Sequence, residues 1–167
     1  NIFLYQSMSG DAADGEATFT SKNSKITTNK GDSFYITNTT ATINLENNEI
    51  INNDSTGYLL RSMKDSWGNS GSNGGVVTLN LTNQKVNGNI YIDSISTLTM
   101  NMTSSNYEGS INNDNTAKSI TLKLDSSSTI KLTGDSYITS LEDTDSTYSN
   151  IDLNGYKLYV NGKELTK

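Results

Sequence analysis

The chain has 167 residues, of which 32% are hydrophobic and 18% charged, with a formal net charge of −6 and no histidine, cysteine or proline. That length suits one domain able to bury a core. The missing imidazole and thiol groups exclude the commonest general base and every thiol nucleophile, and an acidic chain whose lysines form no run is not expected to bind nucleic acid.

The first segment, Ile2-Phe3-Leu4-Tyr5, reads as a strand with no polar cap before it, which predicts covering N-terminal coils or a stacked subunit. Three carboxylates, Asp11, Asp14 and Glu16, follow with two flexible glycines, Gly10 and Gly15, between strands. They form a candidate Ca²⁺ site, since calcium accepts hard oxygen ligands in irregular geometry. The competing reading is a turn whose Asp residues cap their own backbone.

From there an alternating segment recurs with the same faces: Ala17-Thr18-Phe19-Thr20, Ala41-Thr42-Ile43-Asn44-Leu45, Val77-Thr78-Leu79-Asn80-Leu81, Leu98-Thr99-Met100-Asn101-Met102 and Ile120-Thr121-Leu122-Lys123-Leu124. A looser sixth copy is expected at Ser149-Asn150-Ile151-Asp152-Leu153. Strand side chains alternate between faces, so the apolar set packs inward and Thr18, Thr42, Thr78, Thr99 and Thr121 point outward. A second apolar segment recurs at Ile26, Ile50, Val86, Tyr107, Ile130 and Leu158, and a third at 34–36, 58–60, 90–92 and 137–141. The intervening Ser/Thr/Asn stretches show no 3.6-residue period, so no helix is expected. No apolar run approaches the roughly 18 residues of a membrane span, so insertion into a membrane is not expected.

Three strand segments per twenty-odd residues, joined by Asn/Ser/Gly/Asp turns, describe an all-β parallel solenoid. Unequal spacing favours a right-handed parallel β-helix over the left-handed kind, which follows strict hexapeptides. The expected architecture is one domain over residues 1–167, of six to seven coils, forming the C-terminal part of a longer solenoid. Extra length maps onto loops at 61–75 and 142–148, where a repeat array usually carries function.

The first loop holds the only Trp and the only Arg. Trp67 offers a flat face for sugar rings and Arg61 a bidentate partner for carboxylates. With Lys64, Asp65, Asn69 and the outward-facing Tyr91 they form the candidate carbohydrate site. Against this, a lone Trp in a glycine-rich loop also packs over a side wall as local core. A lyase would need its base from Arg61, Lys64 or Asp65. A hydrolase would need a carboxylate pair among Glu142, Asp143 and Asp145, which an acidic turn equally explains. The Thr column suggests ice binding, but its neighbouring column reads Thr20, Asn44, Asn80, Asn101, Lys123 and breaks the regular array.

The strings Tyr5-Gln6-Ser7-Met8-Ser9-Gly10-Asp11, Gly31-Asp32-Ser33-Phe34-Tyr35-Ile36-Thr37-Asn38-Thr39, Asp93-Ser94-Ile95-Ser96-Thr97-Leu98 and Leu132-Thr133-Gly134-Asp135-Ser136-Tyr137 resemble a family of extracellular β-helix proteins of Gram-positive anaerobes. That family is similar to pectate lyases in fold but is carbohydrate-binding or adhesin-like. The resemblance implies a secreted or cell-surface protein with acidic polysaccharide or a host glycan as partner and calcium as a possible cofactor. The expectation is a non-catalytic glycan-binding or adhesion module. A passive structural stalk is the alternative, and a polysaccharide lyase the third reading.

Overall fold

The computed structural model describes residues 1–6 and 15–167. Among them every regular element longer than a turn is a strand, in the order β1 (Ile2–Tyr5), β2 (Glu16–Lys22), β3 (Lys25–Thr28), β4 (Phe34–Thr37), β5 (Thr39–Glu46), β6 (Glu49–Asn52), β7 (Leu60–Ser62), β8 (Gly75–Thr82), β9 (Lys85–Asn87) and β10 (Ile90–Ile92). The second half continues with β11 (Thr97–Thr103), β12 (Asn106–Gly109), β13 (Ser119–Leu124), β14 (Thr129–Leu132), β15 (Ser136–Ile138), β16 (Ser140–Asp143), β17 (Ile151–Asp152), β18 (Leu158–Val160) and β19 (Lys163–Glu164).

Apart from β18 and β19, successive strands do not pair with each other. They distribute into a sheet β1-β4-β7-β10, a six-stranded sheet β2-β5-β8-β11-β13-β16, a pair β3-β6, a sheet β9-β12-β14-β17 and a sheet β15-β18-β19. All pairings are parallel except that of β18 with β19. Parallel neighbours need a long crossover, commonly a helix. Here strands of the other sheets supply it.

In the six-stranded sheet the register is the one the sequence repeat predicts. Ala17, Ala41, Val77, Leu98 and Ile120 are Cα partners in turn, as are Phe19, Ile43, Leu79, Met100 and Leu122. From β5 to β13 these inward residues are at most 3% exposed, and each fully buried Leu or Ile contributes roughly 1.5–3 kcal/mol. The Thr column forms on the opposite face. Beside it Asn44 Nδ2 donates to Thr20 Oγ1 at 3.1 Å, Asn80 Nδ2 to Asn44 Oδ1 at 2.8 Å and Asn101 Nδ2 to Asn80 Oδ1 at 2.7 Å.

The expected sixth copy at 149–153 is displaced. Leu141 of β16 is the partner of Leu122, whereas Ile151 of β17 pairs with Ile130 in the sheet containing Val86 and Tyr107. Leu158, expected in that second set, pairs with Ser136 in β15 instead. The cause is a short pass. Ile120 N donates to Thr139 Oγ1 only 19 residues on, so the apparent insertion at 142–148 is the ordinary turn between β16 and β17.

One corner is held by a buried polar ladder. Ser24 N donates to Asn48 Oδ1, Asn48 N to Gln84 Oε1, Gln84 N to Ser105 Oγ and Ser105 N to Ser128 Oγ, all at 2.8–3.1 Å. Each turn's amide is satisfied by the next turn's side chain, as a buried backbone donor requires. Just before it Asn23, Asn47, Asn83 and Ser104 take positive φ of 47–50°, a conformation that Asn tolerates best among non-glycine residues. Exposed Lys–Glu pairs such as Lys22–Glu46 at 2.7 Å and Lys123–Glu142 at 3.0 Å also join neighbouring strands, each worth little in water.

Candidate functional site

The sheet β1-β4-β7-β10 carries an aromatic outer face. Its strands alternate, with Ile36, Leu60, Ile90 and Ile92 buried inward, so the intervening residues point out. Phe3, Tyr35, Arg61 and Tyr91 are successive Cα partners across the four strands. At strand spacings of about 4.7–4.9 Å this column spans about 14 Å.

At the β1 end the rings cluster. Phe3 and Tyr5 stack at 4.5 Å between centroids, Phe3 lies 5.2 Å from Tyr35, and Trp67 meets Phe3 and Tyr5 edge-on at 6.1 and 6.0 Å. These separations fall within the favourable range for offset and edge-to-face pairs. Phe3 and Tyr5 remain 45% and 49% exposed, so the cluster is a surface.

Trp67 lies in the connection between β7 and β8. Asn73 Nδ2 folds that connection by donating to the carbonyls of Asp65 at 3.0 Å and Trp67 at 2.7 Å, and Trp67 Nε1 donates to Gln6 O at 3.0 Å. The indole is thus a half-buried side wall that keeps one part in solvent.

At the β10 end the guanidinium of Arg61 lies 4.3 Å from the Tyr58 ring centroid and 5.9 Å from that of Tyr91, and these two rings are 5.8 Å apart. Asp32 pins it. Nε donates to Asp32 Oδ2 at 2.6 Å and Nη2 to Oδ1 at 3.2 Å, while Oδ1 also accepts from Tyr58 N at 2.8 Å. Burial disfavours the Arg61 charge, but the Asp32 hydrogen bond and charge outweigh it and raise the pKa above its ordinary value. Arg61 therefore spends part of its donor fork inside the protein.

Tyr35 OH donates to Asp65 Oδ2 at 2.8 Å. Burial, and then that bond, pushes the Tyr35 phenol well above its ordinary range. The Ser66 amide, and then Tyr35, holds Asp65 below the usual carboxylate value.

The face thus unites Arg61, Asp65, Trp67 and Tyr91. Lys64 and Asn69 flank Asp65 and Trp67 in the same connection. The Lys64 backbone donates to Asp93 Oδ2 at 2.8 Å and its side chain makes no ion pair among the described residues, while Asn69 occupies an exposed turn whose carbonyl accepts from Ser72 N. Phe3, Tyr5, Tyr35 and Tyr58 join the face without having been anticipated. For the first three the signal was the same alternation that placed Tyr91 outward. Beside the Trp67 connection a depression of about 400 Å³ is lined by Gln6, Asn38, Thr40 and Ser72 among others.

The calcium candidates Asp11 and Asp14 lie outside the described residues, and Glu16 is exposed at the start of β2. Among the described residues no group of three His, Cys, Asp or Glu side chains is placed to hold a metal ion. Of the acidic trio, Asp145 accepts from the hydroxyls and amides of Ser149 and Thr147 at 2.5–3.0 Å, which hold its carboxyl well below the usual range. Asp143 Oδ1 in turn accepts from Asp145 N at 2.9 Å. These two acids serve their own turn.

An outer face of this kind can adsorb a flat apolar surface with a polar rim, and its tyrosine hydroxyls and neighbouring amides can meet that rim. No protein family's model matches the chain, and no curated protein or solved structure matches it either.

Proposed function

We propose that the chain is a right-handed parallel β-helix whose aromatic outer face binds an oligosaccharide without cleaving it. The β-helix reading draws on the parallel pairing of strands a pass apart and on the near-universal right hand of parallel crossovers. The binding reading rests on one observation, the exposed cluster of Phe3, Tyr5 and Trp67 continuing through Tyr35 to Tyr58 and Tyr91. Pyranose rings present C–H groups on a face and hydroxyls around an edge, and the cluster supplies the complementary planes. Since Arg61 is shared with Asp32, recognition of an acidic sugar falls to its remaining N–H groups and to Lys64.

The alternative, a passive cell-surface stalk, draws on the rings' packing against one another. A glycan array separates the two, followed by titration of the Trp67 fluorescence with the glycans that score. Tyr5→Ala, at an exposed position, is expected to weaken binding at least tenfold with melting unchanged. An array without binders, or affinity indifferent to both Tyr5→Ala and Trp67→Ala, overturns the proposal.

A further inference from the structure

The outer face that carries the rings does not stop at β10. Ile90 forms a parallel bridge with Ile111, and Asn112 N donates to Ile90 O at 2.8 Å, so a short extended stretch lies beside β10. β15 follows on its far side, where Tyr137 N donates to Ile111 O at 3.0 Å and Ile111 N to Ser136 Oγ at 3.0 Å. β18 is then the parallel partner of β15. This register makes Tyr91, Asn112, Tyr137 and Tyr159 successive neighbours, continuing the column that begins Phe3, Tyr35, Arg61. At ordinary strand spacing the whole column is about 28 Å long.

Rings stand at the added positions too. Tyr137 lies between buried Ser136 and Ile138 and points outward as Tyr91 does. Its ring and that of Tyr159 are 4.9 Å apart between centroids and 5° from parallel. Planes in contact at about 3.5–4 Å must then be slipped past one another by about 3 Å, which leaves part of each ring's face uncovered. Asn112 interrupts the row. It is 3% exposed with a φ of 52°, its Oδ1 accepts from Thr116 N and Ala117 N, and its Nδ2 donates to Tyr137 O. Its side chain therefore serves its own turn, and two aromatic platforms stand two strand spacings apart.

Resting on the reading that this face binds an oligosaccharide, we propose that Tyr137 and Tyr159 form a second aromatic subsite in line with the first, and that the ligand is a linear glycan with equatorial linkages laid across the strands. Such a chain is a flat ribbon whose ring-to-ring repeat is close to the strand spacing of about 4.7–4.9 Å, so it places about one pyranose on each strand. Axially linked chains coil and leave a straight row after a few residues. The Arg61 guanidinium, beside the rings of Tyr58 and Tyr91, continues the stacking surface as a flat cation. About four sugars span Phe3 to Tyr91; about six reach Tyr137 and about seven Tyr159.

Calorimetric titration with cello-, manno- and xylo-oligosaccharides of increasing length tests this. In a series that binds, the hexasaccharide is expected to bind at least tenfold more tightly than the tetrasaccharide. Tyr137→Ala is expected to bring the hexasaccharide down to the tetrasaccharide's affinity, and Tyr137→Phe, which keeps the ring, to retain the gain. Should Tyr137→Ala melt early, Tyr159→Ala carries the same expectation for the heptasaccharide. An affinity that stays flat beyond four sugars, a gain that survives both alanine variants, or binding confined to axially linked chains such as oligogalacturonates overturns this proposal and leaves the broader reading standing. No binding at any length overturns both.

Discussion

Replacing Gln84 by alanine tests the corner ladder at its most connected point. Gln84 is 1% exposed. Its Oε1 accepts from Asn48 N at 2.8 Å and from Asn48 Nδ2 at 3.1 Å, and its Nε2 donates to the carbonyls of Asn48 and Lys85 at 2.8 Å. Asn48 Nδ2 keeps a second acceptor, Ser21 O, at 2.9 Å, but the Asn48 backbone N–H is left bare in the interior. A stranded buried donor costs about 1–3 kcal/mol, and the weakened carbonyl contacts bring the expected loss to about 3 kcal/mol. For a chain of this length about 1 kcal/mol moves the melting temperature by roughly 2–4 °C, so Gln84→Ala is expected to lower it by about 6–12 °C in calorimetry. Ser62→Ala is the control of opposite sign, because Ser62 Oγ is buried without a hydrogen-bond partner and its removal strands nothing. A Gln84→Ala melting temperature within about 2 °C of the parent, or a Ser62→Ala loss as large as that of Gln84→Ala, would refute the reasoning.

Acid should unfold the protein partly through its turn-capping aspartates. The amide of Gly31, and then Thr56, lowers Asp54 to about 2 from an ordinary 3.8, and Asp145 shifts the same way. A folded-state pKa below the unfolded one gives stability that is complete above the ordinary value and lost as pH falls through the folded value. Melting temperature is therefore expected to drop between about pH 4 and pH 2, less steeply in Asp54→Asn with Asp145→Asn, and an unchanged slope would count against the caps. In alkali, Tyr35 and the fully buried Tyr107 have raised pKa values, Tyr107 through burial alone. Ultraviolet titration to about pH 11 should leave Tyr35 and Tyr107 silent until the chain unfolds, with Tyr35→Phe and Tyr107→Phe showing which absorbance is theirs; reversible ionisation of either in the folded chain would contradict its placement.

The strand register was legible because a period of two with repeated Thr and Asn leaves little choice of pairing, and Ala17 through Ile120 align as written. Ser140–Asp143 was missed because one apolar residue, Leu141, carries its inward face, while Ile151 and Leu153 mimic the pattern better. The aromatic face was half legible. Tyr91 between two isoleucines announced its direction, and Phe3, Tyr5 and Tyr35 obeyed the same rule. What alternation could not supply was that strands far apart in sequence would place these rings side by side. The binding of Arg61 by Asp32 was hidden for a related reason, since the partners are 29 residues apart and meet only through the pairing of β4 with β7.

The corner ladder also bears on how such a chain could change over generations. Its links span 24, 36, 21 and 23 residues, so what each turn recognises is the side chain of the next turn and not the length of chain between them. A duplication or deletion of one whole pass would leave every remaining amide facing an Asn, Gln or Ser. On the β-helix reading proposed above, recombination at a corner therefore preserves the interior, and the number of passes is free to vary while each amide keeps its side-chain partner.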